Sequence, residues 1–147
     1  MENLNSNAAQ QIAQAASDFQ QRQTGHKPQS VVVVLSGDTL VITLHGALSA
    51  AEKALAQSPK GAAQMQEFHR QLFNVSADEL RREIEKITGV EVCEASTEVE
   101  MAPRALVQVF TTGTMVQMFL LARAVPASSW SGDLPANQTQ QMGVETC

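Results

Sequence analysis

Apolar positions along this chain switch between two periods, and they are densest at residues 31–44, VVVVLSGDTLVITL. Both arms of that stretch are rich in β-branched side chains, and Ser36-Gly37-Asp38-Thr39 between them supplies turn chemistry. The pattern predicts a β-hairpin with one face toward a core. Upstream, Ala8, Ile12, Ala15, Ala16 and Phe19 recur on one side of a 3.6-residue period, with Asn5 or Ser6 placed to cap the helix. Gly25 suits a left-handed C-cap, and Pro28 prevents continuation.

Downstream of the hairpin, Ser49 with Glu52 fits a reciprocal capping box that opens a short helix. Ser58-Pro59-Lys60-Gly61 restarts the chain as a helix whose apolar edge reads Met65, Phe68 and Leu72. Ser76 with Glu79 repeats the capping-box pattern, and Leu80, Ile84 and Ile87 then follow at helical spacing as far as Gly89. This predicts two helices joined at a kink near Asn74, with a single bent helix over residues 62–88 satisfying the same spacing. Residues 90–101 read as a strand carrying Glu91, Glu94, Glu98 and Glu100, bulged near Cys93 because the Glu91 to Glu94 interval breaks alternation. A second hairpin follows, with residues 106–110 and 115–120 flanking Thr111-Thr112-Gly113-Thr114. From residue 126 to 147 the composition turns to Pro, Ser, Gly, Asn and Gln, which predicts a disordered tail behind a single domain over residues 5–125. The order α-ββ-αα-β-ββ describes an α+β fold, a mostly antiparallel sheet with helices packed on one face.

A chain of 147 residues with 44% apolar content can bury one ordinary core. The net charge of −5, with 10 scattered Lys and Arg, argues against a nucleic-acid surface. Cys93 and Cys147 make a poor disulfide framework and favour a reducing, cytoplasmic setting. The polar N-terminus lacks the basic and apolar regions of a secretory signal. No apolar run reaches the roughly 18 residues of a membrane span, since residues 115–125 are interrupted by Gln117 and Arg123. Any link to a membrane would therefore run through a partner protein or a surface contact.

Reactive constellations are missing from the sequence. His26, His45 and His69 stand in no HxH, HxxxH or HExxH spacing, so no local motif holds a metal, and no cofactor motif is present. Cys93 has acidic neighbours, Glu91 and Glu94, which are poor surroundings for a thiolate nucleophile. There is no G-x-S-x-G elbow, P-loop or G-x-G-x-x-G. The acidic residues 91–100 read as a solvated strand that discourages edge pairing. His45, His69 and Glu94 are the residues that would line a pocket between sheet and helices if the chain were a small-ligand or ion-sensing module. The nearly continuous apolarity around Met115, Met118, Phe119 and Leu121 has core burial as its default reading. Its alternative is an interface, most simply of a homodimer.

Several short motifs together resemble a known bacterial family: Gly25-x-x-Pro28, Gly37-Asp38-x-Leu40-Val41, Leu44-x-Gly46-x-Leu48 followed by Ala51-Glu52, Leu72-Phe73, and the helix ending from Leu80 to Gly89. They resemble the MpsC-like family, described as a component of a sodium-translocating, membrane-potential-generating system, over about residues 5–122. Where that family tends to carry an Asp-rich motif, this chain has Thr97-Glu98-Val99-Glu100-Met101 followed by Pro103, and the second hairpin and tail look like extensions. The resemblance implies a non-enzymatic accessory protein that works through protein contacts, with a membrane ion or inorganic-carbon transport component as partner. It assigns no catalytic residues.

Overall fold

The computed structural model describes residues 7–93, 105–110, 112–126 and 130. The first helix, α1, spans Ala8–Thr24 and starts at Asn7, whose Oδ1 accepts the Gln10 N–H at 2.8 Å; the expected caps Asn5 and Ser6 lie outside the described residues. Its predicted stripe holds, with Ile12, Ala16 and Phe19 buried, and Gly25 ends it in the left-handed conformation at φ 80°. Two strands follow, β1 (Ser30–Ser36) and β2 (Thr39–His45), paired so that Ser36 faces Thr39 across the two-residue loop Gly37-Asp38. Gly37 has φ 63°, a conformation that this tight turn requires and that glycine adopts without steric cost.

The capping box of α2 (Ala50–Leu55) forms as the sequence predicts. Ser49 Oγ accepts the Glu52 N–H at 3.2 Å, and Glu52 Oε1 accepts the Ser49 N–H at 2.8 Å. By contrast, the two-helix reading gives way to the single-helix one: α3 runs unbroken over Pro59–Thr88. The second capping-box pattern is used for docking. Ser76 donates to Gln23 Oε1 on α1 at 3.0 Å, and Glu79 pairs with Arg22 at 2.7 Å. The apolar edge of α3 is also rotated from the expected one. Met65, His69 and Phe73 are buried, whereas Phe68 is 51% exposed and Leu72 is only half-buried. Farther along, Leu80 and Ile84 are buried as predicted.

Strands β3 (Ala105–Val109) and β4 (Met115–Leu120) complete a four-stranded, fully antiparallel sheet of order β1-β2-β4-β3. The class is α+β with helices on one face. The strand predicted over residues 90–101 is represented, within the described residues, by a single antiparallel bridge between Val92 and Leu121; residues 94–104 lie outside them. Cys93 is buried and disulfide-bonded, which corrects the reading of the cysteines as a poor disulfide framework. Pro126 accepts the backbone N–H of Trp130, whose side chain is buried in the core. Residues 131–147 lie outside the described residues.

Sheet register decides the core. Leu40, Ile42 and Leu44 on β2 stand opposite Phe119, Gln117 and Met115 on β4, and all six are buried under α1 and α3. Gln117 is the exception in kind: it is 1% exposed, its amide reaches only Met115 Sδ at 4.0 Å, and its Oε1 has no partner among the described residues. An unsatisfied buried oxygen costs about 1–3 kcal/mol. Gln117→Leu is therefore expected to raise stability by about 1 kcal/mol in urea unfolding; unchanged or lower stability would show that the amide is satisfied.

Gly61 fixes the angle between α2 and α3. A Cβ at this position would run into the carbonyl oxygen of Leu55 at the end of α2, and backbone cannot yield as a flexible side chain can. Gly61→Ala is expected to destabilise the fold by about 1–3 kcal/mol, read as a lowered urea midpoint, and an unchanged midpoint would show the junction to be loose.

Candidate functional site

Three places in the fold gather polar or exposed apolar groups, and they differ in what they can do. The first is a surface groove between α1 and α3. A cleft of about 280 Å³ there is lined by Ala15, Asp18, Phe19, Arg22, Glu79 and Glu83 among others. Its one ion pair, Arg22 with Glu79, is more than half exposed at both ends and contributes at most about 1 kcal/mol. The groove is open and mainly acidic, and it brings no nucleophile together with a base.

The second place is the seat of α2 on α3. His69, 3% exposed on α3, has its Nε2 3.1 Å from Glu52 Oε2, while the other Glu52 oxygen is held by the Ser49 backbone. Phe68 meets the imidazole edge to face at 5.2 Å. One carboxylate thus caps α2 and anchors it to α3, which makes His69 a structural residue. Of the three residues read from the sequence as lining a ligand pocket, His69 has this partner, His45 is exposed at the end of β2, and Glu94 lies outside the described residues. No bond joins His45 to His69, and the described residues contain no group of His, Cys, Asp or Glu arranged to hold a metal ion. Glu52→Ala is expected to lower stability by about 1–2 kcal/mol, because it removes a cap and a buried partner together; Glu52→Gln should lose less. Equal losses in chemical denaturation would contradict the shared role.

The third place is the sheet face that the helices leave uncovered. Because side chains alternate, burying Leu40, Ile42 and Leu44 turns Val41 and Thr43 outward, and the register sets Met118 beside Val41 and Val116 beside Thr43. Val32 and Val34 on β1 share that face and are 47% and 53% exposed. With Leu120 and Gln108, these residues form a surface without a formal charge among its described members, bordered by Ser36, Thr39 and His45. Four strands spaced by about 4.8 Å and six residues long at about 3.3 Å each make it roughly 400 Å², the size of an apolar patch that is often functional. Of the residues read as an interface, Met115, Phe119 and Leu121 are buried in the core, and only Met118 lies on this face. Continuous apolarity hid the alternation; the missed residues Val32, Val34 and Val116 were legible only through the two-residue turn that sets the register.

Residues 5–114 match the model of the MpsC family, described as a Na+-translocating membrane potential-generating system. The chain belongs to the MpsC family. No curated protein and no solved structure matches it. The MpsC match covers β1, β2 and β3 and stops just before β4. Yet β4 lies between β2 and β3, so one strand of the second hairpin, which in the sequence looks like an extension, is internal to this MpsC sheet. No described helix of this MpsC protein is long and apolar enough to cross a membrane.

Proposed function

We propose that this protein is a non-enzymatic accessory component of a sodium-translocating, membrane-potential-generating system, acting through protein contacts and as a homodimer. The observation that carries this reading is the apolar sheet face around Val41, Thr43, Val116 and Met118, free of charge among the described residues, which the helices leave uncovered. A face of this kind gains free energy when a partner removes it from water, at about 25 cal/mol per Å² of apolar area. Family membership supports a membrane-bound ion or inorganic-carbon transport component as that partner. The absence of any nucleophile elbow, phosphate loop or metal spacing from the sequence supports a role without chemistry. The disulfide at Cys93 argues against the reducing, cytoplasmic setting that sparse cysteine usage suggests, because such bonds persist in oxidising compartments.

Crosslinking in intact cells, followed by pull-down of the full chain, tests the reading. The expected result is recovery of a membrane-embedded ion-transport subunit, lost when Thr43→Lys and Met118→Lys place charges on the open face while circular dichroism and melting stay near those of the parent. Recovery of the same subunit by the double variant would remove the open face from the proposal. Failure of the parent chain to recover any transport subunit would overturn the accessory role.

A further inference from the structure

The outer strand of the sheet, β1, has a free edge whose hydrogen-bonding groups can be assigned. Ser36 and Thr39 close a two-residue loop and therefore exchange ladder bonds. The neighbouring ladder agrees: Leu121 donates its N–H to Asp38 O at 2.9 Å, which leaves the groups of Thr39 turned toward β1. Counting back by twos, Val34 and Val32 bond to β2. Val31, Val33 and Leu35 then point their N–H and C=O groups outward, where no described strand receives them.

Natural edges are guarded by charges, prolines or bulges. The seven residues of β1, SVVVVLS, contain neither a proline nor a charge, and their pairing with β2 runs without a skipped residue. They also read almost the same in both directions about Val33, with Val31 and Leu35 as the single unlike pair. Such a strand is complementary to itself when antiparallel. We infer that two copies of this protein join through the free edge of β1, antiparallel about a two-fold axis at Val33, fusing two four-stranded sheets into one. The inference rests on the homodimer reading given above and specifies its geometry.

In that arrangement Val31 of each copy exchanges both backbone bonds with Leu35 of the other, and the two Val33 residues exchange theirs. An axis perpendicular to the sheet keeps both helix layers on one side and both open faces on the other. Val32 of each copy then lies beside Val34 of the second copy, partly covering side chains that are 47% and 53% exposed. The charge of −5 on each chain opposes association through most of the surface, and the uncharged edge is where close approach is least opposed. The union also doubles the apolar platform offered to a further partner.

The geometry makes a register-specific prediction for sedimentation of the full chain at micromolar concentration. The parent is expected to be a dimer. V32K/V34K sets like charges opposite each other across the axis and should weaken association at least about tenfold. V32K/V34E sets the lysine of each copy against the glutamate of the other and should restore the dimer. Val33→Pro removes an outward N–H at some cost in packing, since Val33 is partly buried against the core, and should yield a folded monomer by circular dichroism. A dimer that survives both V32K/V34K and Val33→Pro overturns the edge assignment and leaves the homodimer reading standing. A folded V32K/V34E that stays monomeric overturns the register about Val33. A monomeric parent overturns both.

Discussion

Leu40, Ile42 and Leu44 face Phe119, Gln117 and Met115 across β2 and β4, and nearly every other feature of the protein follows from which way these side chains point. Side-chain direction in a strand has a period of two, so a slip by one residue would send the whole set into water. The two-residue turn at Gly37-Asp38 fixes this phase for β1 and β2, and β4 inherits it through the ladder. With the phase set, α1 and α3 cover one side, and α2 reaches the layer through Glu52 and His69. The other side keeps Val32, Val34, Val41, Thr43, Val116 and Met118.

Polar groups in the helix layer hold elements together. Glu52 serves Ser49 and His69 at once, Ser76 ties α3 to Gln23, and Gln66 donates to the Val109 carbonyl at 2.8 Å, joining α3 to the end of β3. Glu85 accepts the Val92 N–H at 2.9 Å and so seats the residues that leave α3. A hydrogen bond of this sort contributes about 1 kcal/mol and fixes an orientation that apolar packing alone leaves free. The resulting frame ties the helices to the sheet at several points and leaves apolar side chains on the opposite face.

Local signals were read well where local chemistry decides them. Gly25 and Gly89 stop their helices, Ser49 with Glu52 caps α2, and both hairpins form at the turns predicted for them. The misreadings share one cause. Ser76 with Glu79 has the spacing of a cap, yet both side chains have partners on α1, and a helix of 30 residues continues unbroken past them. Likewise Phe68 is apolar but exposed, while His69 beside it is buried because Glu52 reaches it from α2. Long-range contacts override local patterns in both places.

The sequence by itself determined the element types and the class, because capping residues, glycines at positive φ and β-branched runs act through bonds and sterics close along the chain. It also fixed the charge-free character of β1, which is a matter of composition. Only the tertiary structure decided that β4 lies between β2 and β3, that Met115, Phe119 and Leu121 belong to the core, and that Met118 and Val41 share an uncovered face. Those facts depend on strand order and on which face the helices cover. A run such as MVQMFL is apolar on both sides and looks the same for either choice.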